Sequence, residues 1–373
     1  MNLSDRSRRL PFLDLLRGIA VILVLGRHLI WTSQGSGENP VFDLWHRCGW
    51  VGVDLFFVLS GFLISSLVFS EIERTRDFRG KRFLARRALK IFPSFYLFLG
   101  ANLLISWFLF PSEISVRRLL GELFSVQNYV GGLHTHTWTL GVEEHFYLGL
   151  ILFVCFAIRK WGASWLKTNA FAKLLFLIIA LCAVSRFFFM WKFPEKPVWI
   201  FSHTHNRADS LAIGVLLAWL FWTKESVQVW SRKNCWVLIG FGVAALSTTL
   251  FFPFLNFIEW TVIWYPLIAA GGAALVAGGT AKDLTPPSLL KPVVWIGLYS
   301  YTIYLWHFPI ERLVRIFLFG GSIESDELIT YALVYTFLSC MVGYLSSALL
   351  EQPVLKLRER LFPRDTRHKA IAR

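Results

Sequence analysis

Long apolar blocks alternate with short polar segments along the whole chain. Each block is about 20 residues long, the length that an α-helix needs to cross roughly 30 Å of hydrocarbon. The short alternating segments typical of a membrane β-barrel do not occur. The pattern therefore predicts an all-α polytopic membrane protein with about ten transmembrane helices. The predicted spans are 10–32, 50–70, 91–110, 139–158, 171–191, 208–222, 236–253, 260–279, 293–313 and 329–350.

The composition agrees with a surface that faces lipid. Of the 373 residues, 55% are hydrophobic and 17% are charged, and the mean hydropathy is +0.53. A soluble domain usually carries about 25% charged residues. The net charge of +14 would suggest a nucleic-acid partner in a soluble protein, but here the basic residues lie between apolar blocks. We therefore expect membrane lipid as a partner and no nucleic acid.

The basic residues also indicate the orientation in the membrane. If the N-terminus is cytoplasmic, most of the 38 Lys and Arg residues fall in cytoplasmic segments, including the loop 71–90 and the tail 354–373. Basic segments are retained on the cytoplasmic side during insertion, so we predict that both termini are cytoplasmic. The expected location is the bacterial inner membrane. Residues 1–373 are predicted to form a single transmembrane domain that ends in the short basic tail 354–373.

Ionisable side chains inside the spans are costly and mark candidate functional positions. Arg17 and His28 in the first span are 11 residues apart, about 20° from eclipsed on a helix, and Asp14 shares their face. Arg17 is then about 16 Å nearer the cytoplasm than His28. Asp54 in the second span is predicted to lie level with His28, and either Asp54 or Glu143 is the carboxylate expected to orient its imidazole. The alternative is that these groups are structural pairs or reach the interface by snorkelling.

The remaining polar residues divide into two predicted levels, a basic inner mouth and an outer acid/base chamber. Retention of positive charge on the cytoplasmic side also explains the basic group Arg86, Arg87 and Lys90. A capped helix start also explains the adjacent glutamates Glu143 and Glu144. Arg207 is predicted to pair with Asp209, and Glu351 with the basic group. The inner level comprises Asp14, Arg17, Arg86, Arg87, Lys90 and Glu351, and the outer level comprises His28, Asp54, Glu143, Glu144, Arg207, Asp209 and His307, with Tyr304 one turn from His307.

These motifs, taken in order, resemble the integral-membrane acyltransferase-3 family, which acylates carbohydrates and other surface molecules. The resemblance runs nearly end to end. The segments that carry it are LDLLRGIAVILVLGRHL, GVDLFFVLSGFLIS, RRALKIFPSFY, TWTLGVEEHFYL, RADSLAIG, YSYTIYLWHFPI and EQP.

The resemblance implies acetyl-coenzyme A, or another acyl-coenzyme A, as the donor co-substrate. The implied acceptor is a hydroxyl of a surface polysaccharide or glycoconjugate, for example in lipopolysaccharide or exopolysaccharide synthesis. His28 would be the general base or acyl relay, an effect worth roughly 10²–10⁴-fold, with a carboxylate orienting its ring. The expected catalytic residues are His28, Arg17, Asp54, Glu143 and Glu144; the expected donor-binding residues are Arg86, Arg87 and Lys90; and the expected substrate-binding residues are Arg207, Asp209, His307 and Tyr304.

The sequence departs from the family pattern at two positions. Lys90 stands where the family usually has Arg, which keeps the charge but loses the bidentate contact with phosphate. His145 stands where the family usually has Gln. Some relatives carry an extra esterase-like domain, which we do not expect here because the chain ends soon after the tenth span.

Two other functions compete with acyl transfer. A secondary transporter or flippase also needs ionisable residues within the membrane, although no inverted repeat is visible. A metal site is suggested by His134-x-His136 and His203-x-His205, but this spacing does not share a face on a helix, so no metal is expected. The five cysteines are scattered and are interpreted as packing residues.

Overall fold

The computed structural model describes residues 10–29, 40–111, 114–251, 260–324 and 326–363. The basic residues of positions 1–9 and the last part of the predicted tail, 364–373, lie outside these ranges. Within them, the chain is all-helical and contains no strand. The helices are α1 (Pro11–Arg27), α2 (Pro40–Thr75), α3 (Gly80–Leu109), α4 (Val116–Leu123), α5 (Gln127–Val130), α6 (Trp138–Trp161), α7 (Asn169–Lys192), α8 (Pro197–Ser202), α9 (Thr204–Thr223), α10 (Glu225–Lys233), α11 (Cys235–Phe251), α12 (Thr261–Ala281), α13 (Lys291–Leu298), α14 (Ser300–Leu318), α15 (Leu328–Ser346) and α16 (Gln352–Leu361).

The protein is a multi-pass helical membrane protein. In the described part of the chain, six helical segments are long and apolar enough to cross a membrane, and a seventh is a pair bent by 106° that comprises Pro197–Thr223 and Glu225–Lys233. Each predicted span overlaps a helix, but α1 and α11 have only 17 described residues each. The count of ten spans and the cytoplasmic placement of both termini stay predictions.

Two predicted spans differ from the helices that the structure contains. The segment 293–313 is not continuous, because the backbone of Tyr299 (φ −106°, ψ 11°) separates α13 from α14. The break follows Gly297, which packs directly against the carbonyl of Asp14 on α1. Helix α2 begins ten residues before its predicted start, at Pro40. Its extension packs on α1, where the indole of Trp45 donates to the carbonyl of Ile22 over 2.8 Å.

Helix α2 occupies the centre of the bundle and packs against α1, α9 and α12. Its contact with α9 requires glycine on both sides. A Cβ on Gly61 would collide with the carbonyl of Leu211, and a Cβ on Gly214 would collide with the carbonyl of Val58. Small residues let the backbones of membrane helices approach closely, so that packing and not the hydrophobic effect holds them together.

We expect Gly61→Val to destabilise the bundle, because the branched side chain forces α2 and α9 apart. Overpacking of this kind costs about 1–3 kcal/mol or more. The measurement is the thermal stability of the detergent-solubilised protein, followed by fluorescence-detected size-exclusion chromatography. Gly100→Val is the matched control, since an added Cβ there meets no atom within 4 Å. Equal losses in the two variants would contradict the packing argument.

Candidate active site

Two imidazoles meet where the end of α1 faces the middle of α14. His28 follows the last residue of α1, and its Nδ1 lies 3.1 Å from Nε2 of His307 on α14. His307 is fully buried, whereas His28 is half-buried. His28 Nδ1 also lies 3.1 Å from the carbonyl of Val24. The sequence prediction placed both residues in one outer chamber, and the structure brings them into direct contact.

The partners of these rings assign their tautomers. Nδ1 of His307 lies 2.6 Å from the carbonyl of Tyr304, and a carbonyl only accepts, so this nitrogen carries a proton. In a neutral ring, Nε2 of His307 is then an acceptor, and Nδ1 of His28 must be the donor towards it. Nε2 of neutral His28 is therefore unprotonated. The contact leaves a basic lone pair on His28.

A third imidazole, His136, completes this cluster from the short turn before α6. Its ring centroid lies 4.9 Å from that of His307 and 6.5 Å from that of His28. His136 is fully buried, and its Nε2 faces the carbonyl of Leu305 over 3.2 Å. Its Nδ1 has no hydrogen-bond partner among the described residues. Phe308 stacks on His136 at 5.3 Å, so the imidazoles lie in an aromatic pocket.

The predicted substrate-binding residue Tyr304 supports this pocket from below His136. Its hydroxyl lies 2.6 Å from Oγ1 of Thr139 and donates to the carbonyl of His136 over 2.7 Å. The phenol is buried. Tyr304 therefore fixes the backbone that carries His136 and also, through its own carbonyl, the ring of His307.

A buried carboxyl holds the loop that carries His136. Oε1 of Glu122, on α4, accepts from the backbone N–H of Leu133 over 3.1 Å and from Oγ1 of Thr137 over 2.7 Å. Glu122 is fully buried, and burial raises its pKa to about 7. This residue lies outside the membrane-spanning segments and is absent from the sequence-predicted site. It ties the loop between α5 and α6 to α4.

The predicted pairing of Asp54 with His28 is wrong. Asp54 Oδ1 accepts from Nη2 of Arg207 over 2.8 Å and from the hydroxyl of Ser210 over 2.9 Å. This carboxylate is buried in the bundle, and the guanidinium of Arg207 compensates its charge. His28 is thus oriented by His307 and the carbonyl of Val24 and not by Asp54.

The predicted ion pair between Arg207 and Asp209 is also replaced. Arg207 pairs with Asp54, while Asp209 lies 2.7 Å from Nη1 of Arg186 on α7. Residues two apart on a helix point to different sides, so each reaches a different neighbour. All four side chains are essentially unexposed. They connect α9 to α2 and α7 and lie away from any surface that a substrate reaches directly.

Glu143 and Glu144 do not lie in the imidazole chamber, which corrects the predicted division into two levels. Nη2 of Arg87 lies 3.7 Å from Glu143 and 3.5 Å from Glu144. Glu143 also accepts from Ser60 over 2.9 Å and from Tyr147 over 3.2 Å. The antiparallel packing of α3 and α6 places Gly80, at the start of α3, against Cys155 near the end of α6. Arg87, two turns further along α3, then lies level with Glu143 and Glu144.

The separation between these groups follows from helix geometry. Phe98 on α3 contacts His136, with ring centroids 5.9 Å apart. Arg87 precedes Phe98 by 11 residues, which is about 16 Å along the helix. The carboxylates therefore lie about 16 Å from the imidazoles along α3, at the depth of Arg86 and Lys90.

Most of the predicted basic residues gather at the far end of the bundle. Arg17 pairs with Asp14 over 3.1 Å, as the shared helix face predicted. Lys90 lies within electrostatic range of Arg17, Arg87 and Glu351.

Glu351 lies within electrostatic range of Lys90, a member of the basic group with which it was predicted to pair, whereas Arg86 pairs with Glu359 of α16 over 2.7 Å. Glu351 also accepts a hydrogen bond from Ser347 over 2.8 Å. Both glutamates follow α15, and the π-helical segment Ser347–Glu351 continues α15 into α16, which packs against α3.

The two predicted HxH pairs do not converge on one site. His145 and His205 belong to a separate aromatic group, where Nδ1 of His145 lies 2.8 Å from Oγ1 of Thr204 and Nδ1 of His205 lies 3.1 Å from the hydroxyl of Tyr129. In the described ranges, no three His, Cys, Asp or Glu side chains are arranged to hold a metal ion.

Comparison with known proteins identifies the family. A family model described as an acyltransferase domain matches residues 10–350. The chain belongs to the acyltransferase-3 family.

Curated members of this family match along most of the chain. The peptidoglycan O-acetyltransferase OatA of Listeria monocytogenes is 27% identical over 330 residues, which cover 81% of this chain and 49% of that protein. The O-acetyltransferase OatA of Staphylococcus aureus is 28% identical over 379 residues, covering 94% and 58%. The putative peptidoglycan O-acetyltransferase YrhL of Bacillus subtilis is 25% identical over 391 residues, covering 97% and 57%. The chain thus spans about half the length of these relatives. No solved structure matches it.

Within this family fold, sequence reasoning missed four residues that the structure places at or around the site: Glu122, His136, Arg186 and Arg358. His136 was visible only as part of an HxH pair. Its real signal is its position directly before the family-like segment 137–148. Arg186 was a charge inside an apolar span, which is itself a signal of a buried partner. Glu122 and Arg358 lie in amphipathic segments where charge is ordinary, so no sequence signal separates them from solvated residues.

The pKa of Glu122 predicts a pH dependence of stability. Its folded pKa of about 7 exceeds the ordinary value of 4.5. The protonated carboxyl therefore stabilises the fold below about pH 4.5, and this contribution is lost as the pH rises towards 7. The whole contribution of this carboxyl to the free energy of unfolding is of the order of 3 kcal/mol. We expect the melting temperature of the solubilised protein to fall between pH 5 and 7.5 by more than that of Glu122→Gln. Parallel curves for the two proteins would contradict this account.

Proposed function

We propose that this protein is a membrane-embedded O-acetyltransferase. It moves an acyl group, in the first instance acetyl, from acetyl-coenzyme A at the cytoplasmic end of the bundle to a hydroxyl of a cell-surface glycan at the other end. The membrane is then the bacterial inner membrane. The relatives named above support this proposal, as does the separation of a basic end of the bundle from an imidazole pocket.

The observation that carries the proposal is the unprotonated Nε2 of His28. The His307 contact directs the single proton of neutral His28 to Nδ1, so Nε2 accepts a proton from an acceptor hydroxyl. The oxygen then attacks the thioester carbonyl, the C–S bond breaks, and the thiolate of coenzyme A leaves and takes up a proton. His307 shares the charge of the imidazolium, since the two rings remain hydrogen-bonded. General base catalysis of this kind contributes roughly 10²–10⁴-fold.

The donor site proposed here uses Arg86, Lys90 and Arg17 at the basic end. Arginine forks suit the phosphates of coenzyme A. Arg87 directly follows Arg86 on α3 but is held by Glu143 and Glu144, and it fixes the position of α6 relative to α3.

The acceptor proposed here is a carbohydrate of the cell envelope. The relatives are named for peptidoglycan, which makes peptidoglycan the first acceptor to test, ahead of lipopolysaccharide or exopolysaccharide. Phe308 and Phe98 contact His136, and Trp306 packs on Phe98. Such aromatic faces suit the apolar side of a sugar ring.

We expect His28→Ala to abolish acyl transfer, with a loss of roughly 10²-fold or more. The measurement is the ester-linked acetate that mild base releases from the envelope of cells that express the protein. His145→Gln is the control, because it also removes an imidazole but lies in the separate aromatic group and restores the usual family residue. Membrane insertion of both variants is checked by immunoblotting. Retained activity in His28→Ala would refute the assigned role.

We expect Arg86→Gln to weaken the binding of acetyl-coenzyme A by about tenfold, since a charge-assisted contact with phosphate is lost. Isothermal titration calorimetry of the purified protein measures the dissociation constant. Lys81→Gln is the control, because Lys81 is an exposed cation on the same helix.

Movement of a glycan across the membrane of vesicles, without consumption of acetyl-coenzyme A, would instead support the alternative function of a transporter or flippase.

A further inference from the structure

One carboxylate oxygen bridges two arginines from different helices at the basic end of the bundle. Oε1 of Glu359 lies 2.7 Å from Nη2 of Arg86 on α3 and 2.7 Å from Nη2 of Arg358 on α16. The guanidinium groups therefore lie on either side of a single anion. The π-helical segment Ser347–Glu351 continues α15 into α16, and α16 packs against α3, which is how a residue near the end of the described chain reaches this position.

Two guanidinium groups around one oxyanion form the arrangement that binds phosphate esters. Further cations surround it. Lys90 lies within electrostatic range of Arg358 as well as of Arg17 and Arg87. Arg358 is largely buried, with 15% of its side chain exposed. Its partner Glu359 shows that this position accommodates an anion between Arg86 and Arg358.

Glu359 is the carboxylate at this end that a ligand replaces most easily. Its side chain is 41% exposed, compared with 7% for Asp14 and 22% for Glu144. Moving an exposed carboxylate into water costs little, whereas freeing a buried one leaves a bare charge. Arg86 also donates to the carbonyl of Phe362 through its other terminal nitrogen, so α16 stays attached while Glu359 moves.

We propose that Arg358 is a phosphate-binding residue of the donor site and that Glu359 is an internal anion that a phosphate group of the donor displaces. This inference rests on the proposed function, since it assumes a phosphate-bearing acyl donor. A phosphate carries more negative charge and more acceptor oxygens than the carboxylate it replaces, so the exchange favours the bound donor. The helix α16 thereby becomes one wall of the donor site.

The test is the binding of coenzyme A to the purified full-length protein in nanodiscs of phosphatidylcholine. We expect Arg358→Gln to raise the dissociation constant by about 5- to 10-fold at low salt. We expect Glu359→Gln to lower it by about 3-fold, because the competing carboxylate is removed. A gain in affinity cannot arise from misfolding, so the second variant keeps the test decisive. Both effects shrink at high ionic strength, where exposed charges are screened.

Arg360→Gln is the matched control, because it makes the same change of charge two residues away on the exposed side of α16. A dissociation constant for Arg358→Gln that equals that of Arg360→Gln would overturn the inference, as would weaker binding in Glu359→Gln. In both cases coenzyme A still binds the unaltered protein, and the proposed function stands. If the unaltered protein does not bind coenzyme A, the proposed donor is wrong and the proposed function fails with it.

An anionic lipid headgroup offers the same phosphate chemistry, and the test separates it from the donor. The binding of coenzyme A is repeated in nanodiscs that contain phosphatidylglycerol. Displacement of Glu359 by the donor predicts that Arg358→Gln weakens binding of coenzyme A in both lipids. A lipid site predicts that Arg358→Gln changes the association with phosphatidylglycerol while the dissociation constant of coenzyme A is unchanged, which would overturn the inference.

Discussion

The pairing of charges inside an apolar bundle is the constraint on which the rest of this structure depends. Two arginines and two aspartates, Arg186, Arg207, Asp54 and Asp209, are essentially unexposed. Removing one partner from such a pair leaves an uncompensated buried charge and costs about 3–5 kcal/mol. The two pairs cross from α9 to α2 and α7. They fix the rotation of α9, and with it the glycine contact between α9 and α2.

This constraint also explains why the carboxylates predicted beside His28 do not contact it. Asp54 is held by Arg207, and Glu143 is held by Arg87, Ser60 and Tyr147. The ring of His28 is oriented instead by the backbone carbonyl of Val24 and by His307. A carboxylate next to His28 would favour the charged ring, whereas a neutral imidazole partner favours the neutral ring, which is the form that the proposed general base needs.

Helix α3 separates the functional groups by face and by depth. Arg86 and Lys90 lie on the face towards α16, Arg87 at the same depth meets the glutamates of α6, and Phe98 contacts His136 further along the helix. With a rise of 1.5 Å per residue, the separation from Arg86 to Phe98 is about 18 Å. That distance suits the reach of a long donor whose phosphates and reactive thioester lie far apart.

Much of this protein could be predicted from its sequence alone. Apolar blocks of helical length follow directly from the thickness of a bilayer, and the stripe of Asp14, Arg17 and His28 follows from 3.6 residues per turn, because both are local properties of the chain. Only the tertiary structure decided which charges meet: Asp54 with Arg207, Arg87 with Glu144, and Arg86 with Glu359. Pairing of this kind depends on the depth and rotation of neighbouring helices. These are determined by the close contacts of glycines and by crossings between distant segments, which no periodicity within a single helix contains.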